Sequence, residues 1–101
     1  MVALSFVDDS KGWALVEGDG RVVTTDDGGR SWHVLATGVV ECCKGGLFFL
    51  DHRHGWAVGG GGSMSRTLDG GENWRNMPSG VQSDISSVQF LNQDVGWIGA
   101  D

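Results

Sequence analysis

The chain has 101 residues, with 18 glycines, one proline, 40% hydrophobic residues and a formal net charge of −6. This length permits at most one small domain, and the hydrophobic content argues against disorder. The seven basic residues are scattered, so we expect no nucleic acid partner and no docking on an anionic membrane. No apolar stretch approaches the roughly 18 residues of a membrane helix, so no membrane insertion is expected.

Alternating apolar residues and glycine-rich turns predict short strands along the whole chain. The first residues, MVALSFVDD, indicate a strand rather than a signal peptide. In a first unit the strands are expected at about 2–7, 12–17, 21–26 and 31–36, and in a second at about 46–51, 55–59, 63–68 and 73–77. A third unit has strands at about 85–91 and 96–100. No window has the apolar period of a helix, so none is predicted.

Three stretches repeat along the chain: LSFVDDSKGWALV, LFFLDHRHGWAVG and VQFLNQDVGWIGA. Each has a Phe seven residues before the Trp of a Gly-Trp pair. These repeat-core residues are Phe6, Trp13, Phe49, Trp56, Phe90 and Trp97. Four antiparallel strands in about 42 residues is the size of a propeller blade, which buries its faces only against neighbouring blades. We therefore predict that the tryptophans pack between blades.

The predicted fold is all-β, with antiparallel four-stranded propeller blades. Residues 1–101 are expected to form a single partial β-propeller of about two and a half blades. Blade one covers about 1–39, blade two about 40–81 and a half blade about 82–101. A closed propeller typically has 4–8 blades. The chain is therefore interpreted as a fragment of a longer propeller, as a homo-oligomer that associates through open strand edges, or as a solitary open sheet.

A second repeat, TTDDGGRSW and RTLDGGENW, places Asp27 and Asp69 in equivalent turns. Such carboxylates could be catalytic acids, metal ligands or structural acceptors of backbone N–H groups. The glycines suit a tight hairpin turn, the threonines can add hydroxyl bonds, and the tryptophans can cover the turn. We therefore predict a structural role for Thr25, Asp27, Gly29, Trp32, Thr67, Asp69, Gly71 and Trp74.

The T-x-D-x-G-x-x-W signature is similar to the Asp-box, or bacterial neuraminidase repeat. The stretches that contain Gly-Trp resemble the repeats of photosystem II assembly-factor-type β-propellers, and together these resemblances cover almost the whole chain. They imply a non-catalytic scaffold or protein-binding module without a cofactor, whose partner is another protein or further propeller blades. They also imply an extracytoplasmic location, which would be periplasmic, lumenal or secreted.

The alternative function is a fragment of an Asp-box glycoside hydrolase propeller. The chain has no Tyr, and therefore lacks the nucleophile of retaining sialidases. Other glycosidases use paired carboxylates, but most of the acidic residues here stand at turn positions. The candidates for such a pair are Asp8, Asp9, Asp26, Glu41, Asp51, Asp84 and Asp94. We expect no catalytic residue among them.

A metal site could be assembled from Cys42, Cys43, His52 and His54. Their spacing matches no familiar zinc pattern, so no metal is expected. The two cysteines are adjacent, which excludes an ordinary disulfide bond between them.

Overall fold

The computed structural model describes residues 2–16, 20–37, 39, 45–78, 80, 82–83, 85–92 and 94–100, with the side chains of all of these except 2, 86 and 100. Ten strands lie in these ranges: β1 (Val2–Phe6), β2 (Gly12–Val16), β3 (Arg21–Thr25), β4 (His33–Ala36), β5 (Gly46–Phe49), β6 (Gly55–Val58), β7 (Met64–Thr67), β8 (Arg75–Asn76), β9 (Ile85–Phe90) and β10 (Gly96–Ala100).

The strands form three antiparallel sheets in chain order. Strands β1 to β4 form one four-stranded sheet, which we call blade 1, and β5 to β8 form a second, blade 2. Strands β9 and β10 pair to form a half blade. The all-β prediction of a partial propeller is thereby confirmed. The blade boundaries at about residues 39 and 81 stay a prediction.

The structure departs from the prediction in two details. Residues Gly60–Gly62 form a 3-10 turn, although no helix was expected. This turn is possible because Gly61 adopts a left-handed φ of 67°, a conformation that favours glycine and leaves no apolar period in the sequence. Strands β4 and β8 begin two residues later than predicted. The residues before them belong to the preceding turns, since Ser31 N and Asn73 N donate to turn carboxylates instead of to a neighbouring strand. No described helix has the length and apolarity required to cross a membrane.

The register explains why a Phe accompanies each Gly-Trp pair. Phe49 lies opposite Gly55 across β5 and β6, and its ring covers the glycine. A Cβ at Gly55 would lie 2.5 Å from that ring, so no larger residue fits without a shift. Phe6 covers Gly12 and Phe90 covers Gly96 in the same way.

Successive residues of a strand point to opposite sides of a sheet, so each blade has two different faces. We call the face that carries the Trp of Gly-Trp the Trp face, and the face that carries the ring on the glycine the Phe face. Trp13 of blade 1 stacks on Phe49 of blade 2, with ring centroids 3.7 Å apart and planes 4° apart. Trp56 stacks on Phe90 of the half blade at 3.6 Å and 4°. The two hydrophobic clusters found among the described residues lie at these two junctions.

Candidate functional site

The turn between β7 and β8, residues 67–74, is closed by its own side chains. Thr67 Oγ1 donates to Asp69 Oδ1 over 2.8 Å and accepts from Gly71 N over 2.9 Å. Asp69 also accepts from Asn73 N and Asn73 Nδ2, at 3.0 and 2.7 Å. Trp74 Nε1 donates to Gly71 O at 2.8 Å, which holds the indole ring on the turn. Gly71 has a φ of 98°, which favours glycine.

The turn between β3 and β4, residues 25–32, repeats this arrangement. Thr25 Oγ1 donates to Asp27 Oδ1 at 2.7 Å, and Ser31 donates to the same carboxylate through N and Oγ at 2.9 and 2.6 Å. Trp32 Nε1 donates to Gly29 O at 3.1 Å. We call the two segments, residues 25–32 and 67–74, the Asp turns. The eight residues predicted for a structural role are thus brought together in two sets of four.

The hydrogen bonds of the Asp turns stabilise the carboxylates as anions. Bonds from the side chain and backbone of Ser31 hold the pKa of Asp27 well below its usual value. The backbone and side chain of Asn73 lower the pKa of Asp69. A carboxyl group that stays ionised near neutral pH has no proton to give, so neither Asp is suited to act as a general acid.

A second type of polar loop precedes each Gly-Trp pair. Asp8 Oδ1 accepts from Ser10 N and Lys11 N, and Asp51 Oδ1 accepts from Arg53 N and His54 N, the latter two at 2.8 Å. Partial burial by itself raises the pKa of Asp51, but the bonds from the His54 and Arg53 backbone prevail and lower it to about 2. The corresponding bonds from the Lys11 and Ser10 backbone lower the pKa of Asp8.

The remaining candidates for catalysis or metal binding are dispersed. Asp26 pairs with Lys11 Nζ at 2.9 Å, and His54 Nδ1 lies 3.0 Å from Asp51 Oδ2. Over the described ranges, no three His, Cys, Asp or Glu residues converge in a geometry that could hold a metal ion. Glu41, Cys42, Cys43 and Asp84 lie outside the described residues.

The junction between blades 1 and 2 contains polar contacts that sequence reasoning missed. Trp13 Nε1 donates to Gly70 O at 2.8 Å, so the Asp turn of blade 2 also binds the neighbouring blade. Phe49 N donates to Ser5 Oγ at 2.9 Å. His52 Nε2 lies 3.1 Å from Asp8 Oδ2 across the same junction. The repeat itself marks these positions, but their partners are 44 to 57 residues away in the chain.

Equivalent apolar residues differ sharply in burial along the chain. Leu4 and Phe6, on the Phe face of blade 1, are 58% and 42% exposed. Their counterparts Leu47 and Phe49 are only 7% and 4% exposed, because blade 1 covers them. Trp97, on the Trp face of the half blade, is 60% exposed, whereas the Trp residues at the two junctions are fully buried. The Phe face of blade 1 and the Trp face of the half blade are therefore open apolar surfaces.

A groove of about 360 Å³ lies on the outer part of blade 2. Its lining residues are Arg66, Leu68, Asp69, Asn73, Trp74, Arg75 and Met77. The Arg66 guanidinium lies 5.6 Å from the centre of the Trp56 ring, and its buried Nε has no hydrogen-bond partner in the described part of the chain. Two cationic side chains beside apolar Leu68 and Met77 suit a ligand that carries a carboxylate next to an apolar group.

The overall fold is shared with solved structures of YCF48, a photosystem II assembly factor with a β-propeller fold. The chain is similar to part of YCF48. The structure described as YCF48 bound to D1 peptide superposes with a TM-score of 0.76 at 25% identity, over 96% of this chain and 32% of that one. YCF48 from Cyanidioschyzon merolae superposes with a TM-score of 0.71 at 25% identity, over 99% of this chain and 35% of that one.

The chain thus spans about a third of the length of these two YCF48 chains. No protein-family model matches the sequence, and no curated protein matches it. The resemblance to photosystem II assembly-factor-type propellers is confirmed at the level of the fold.

Proposed function

We propose that this chain is a non-catalytic β-propeller segment that acts as a scaffold and binds a protein partner. The observation that carries this proposal is the likeness to YCF48 over 96% of the chain, in a structure where YCF48 has a bound D1 peptide. We further propose that the two Asp turns are Asp-box turns with a structural role. Their hydrogen bonds close each outer hairpin, and the second turn also contacts blade 1.

The state of the carboxylates supports a binding role over hydrolysis. Glycosidases require one protonated and one ionised carboxyl group on either side of the substrate bond. The pKa values of Asp8, Asp27, Asp51 and Asp69 are all lowered, and each of these groups accepts hydrogen bonds within its own loop. None of the four is held in the protonated form that the acid role needs, so no observation favours the glycoside hydrolase alternative.

The groove on blade 2 is our candidate for the peptide site. Arg75 is exposed on the short strand β8, and Arg66 lies deeper, against Trp56. The exposed side chain of Leu68 lines the same groove. An extended peptide could place an acidic side chain or a terminal carboxylate between the two guanidinium groups and an apolar residue against Leu68 and Met77.

The D1 peptide is the probe that tests this proposal. We expect a fluorescein-labelled D1 peptide to bind the chain in a fluorescence anisotropy titration, and a peptide of the same composition in scrambled order to bind more weakly. Arg75→Gln should weaken binding about fivefold, on the order of 1 kcal/mol, because one ion pair at an exposed site is lost.

Arg53→Gln is the matched control, since it makes the same charge change at an exposed residue outside the groove. It should leave the affinity unchanged. Equal binding of the two peptides, or equal losses in the two variants, would show that the groove does not recognise D1 peptide.

A further inference from the structure

The Phe face of blade 1 has the geometry of a binding site for a tryptophan ring. Phe6 lies flat on Gly12, and Trp32 meets its edge at 6.2 Å and 84°. In blade 2 the corresponding pair, Phe49 and Trp74, meets at 6.1 Å and 89°. There the open side of the Phe49 ring is occupied by Trp13. Blade 1 therefore presents the same arrangement with its aromatic partner position exposed to solvent.

Trp97 is the side chain that matches this site. It follows Gly96, which lies under Phe90, just as Trp13 follows Gly12 and Trp56 follows Gly55. The two preceding members of the series are stacked on a Phe of the next unit, whereas Trp97 extends into solvent. The indole ring of Trp97 is thus free to make the stacking contact that the two preceding members make.

The polar groups around the two faces also correspond. Gly28 is equivalent to Gly70, whose carbonyl accepts from the Trp of the neighbouring blade, so Gly28 O can accept from Trp97 Nε1 of a second copy. Gln89 stands at the position of Ser5, whose hydroxyl accepts from Phe49 N, so the side-chain oxygen of Gln89 can accept from Phe6 N of a second copy. The donor and acceptor pattern of the first junction can therefore form again between two molecules.

The charged and polar residues in the loops before each Gly-Trp pair are compatible with a contact between the two faces. At the first junction Asp8 faces His52 across 3.1 Å. Between two copies the corresponding residues are Asn92 and Asp9. Asn92 Oδ1 accepts from Asp94 N and Val95 N, and its Nδ2 can donate to the carboxylate of Asp9. An aspartate at position 92 would instead place two negative charges together.

We propose that two copies of this chain associate head to tail, with Trp97 of one copy stacked on Phe6 of the other. The contact repeats the two junctions inside the chain and joins different faces of the two molecules. Such a heterologous interface leaves one further Trp face and one further Phe face open, so association continues until a ring closes or a filament forms.

Sedimentation velocity over a range of concentrations tests the proposal. The wild-type chain should show concentration-dependent association. Trp97→Ala removes one surface and Phe6→Ala the other, so each variant alone should sediment as a monomer. Mixed in equal amounts, the two variants should form a dimer and nothing larger, since only one productive pair of faces remains. Far-UV circular dichroism verifies that each variant is folded.

Leu68→Ala is the control, because it removes an exposed apolar side chain of blade 2, which supplies neither the Phe face of blade 1 nor the Trp face of the half blade. Leu68→Ala should leave association unchanged. Arg75→Gln should also leave it unchanged, because Arg75 belongs to the groove on blade 2. A wild-type chain that stays monomeric throughout would overturn the proposal. Association that survives in both single variants would also overturn it, since pairing through strand edges would then be the cause. A mixture that fails to dimerise has the same consequence.

Discussion

The smallest unit of this fold is a set of three residues: a Phe, a Gly and the Trp that follows the Gly. The Phe ring takes the space that a Cβ on the glycine would need. It thereby lies flat against the sheet and offers its free side to the Trp of the preceding blade. On one face of the strand the glycine leaves room for the Phe ring, and on the other face the Trp packs against the next blade. These two packing requirements explain why the Phe and the Gly-Trp pair recur together along the sequence.

Gly55→Ala and Gly12→Ala should differ in their effect on stability. The added methyl group meets a ring at 2.5 or 2.6 Å in both cases. Phe49 is confined by Trp13 and cannot move, so Gly55→Ala should cost about 1–3 kcal/mol. Phe6 is partly exposed and can rotate away, so Gly12→Ala should cost less. Thermal unfolding followed by circular dichroism measures the difference, and equal losses would contradict this account of the stacks.

At the scale of the element, the Asp turn links strand closure to blade packing. Thr67 is fully buried and bonds both the carboxylate of Asp69 and the N–H of Gly71. The adjacent Gly70 accepts from Trp13 in the other blade. The turn therefore fixes the position of the outer hairpin and one polar contact of the junction, although its carboxylate lies near the surface.

Thr67→Val should lower the stability by about 1–3 kcal/mol, because the variant keeps the shape but leaves Gly71 N without its acceptor. Chemical denaturation of the variant and of wild type gives the difference in unfolding free energy. Thr37→Val makes the same change at an exposed residue outside the Asp turns and should have little effect. Similar losses in both variants would mean that the hydroxyl network contributes nothing specific.

Asp27→Ala and Asp69→Ala should each lower the melting temperature, because each removes an acceptor shared by a threonine hydroxyl and a backbone N–H. Asp94→Ala is a comparison at an exposed loop carboxylate. If either Asp turn variant kept its melting temperature but lost binding of D1 peptide, the structural role would be wrong and a ligand role would replace it.

At the scale of the whole molecule, four carboxylates share one electrostatic property. Asp8, Asp27, Asp51 and Asp69 all have a pKa below the usual 3.8, and that of Asp51 is about 2. A group whose pKa is lower in the folded state stabilises the fold fully above its unfolded pKa. That contribution disappears as the pH falls through the folded pKa.

The chain should therefore keep its stability from neutral pH down to about 4 and lose it progressively between about pH 4 and pH 2. Melting temperatures across this range measure the effect. Asp51→Asn should flatten the profile, because it removes one of the titrating groups while retaining an oxygen acceptor for the two backbone N–H groups. A profile of unchanged slope in that variant would show that Asp51 does not contribute to acid unfolding.

The sequence by itself determined the class of fold and the approximate strands. Glycine-rich turns and apolar alternation are local signals, and the repeats at a spacing of about 42 residues reinforce them. Together these signals place the ten described strands close to where they lie. The exceptions are the first residues of β4 and β8, where side-chain acceptors compete with strand pairing for backbone N–H groups. Whether an Asp four residues earlier in the chain accepts such an N–H group is decided by the conformation of the turn, which the apolar alternation does not specify.

Only the tertiary structure decided which faces are covered and which polar groups meet. The repeat makes Phe6 and Phe49 equivalent, as it does Trp13 and Trp97, yet one member of each pair is buried and the other is exposed. Likewise, the bond from Trp13 to Gly70 exists because residues far apart in the chain become neighbours. Local sequence specifies the blade, but burial depends on what stands next to it, since a blade face is protected from water only by another blade.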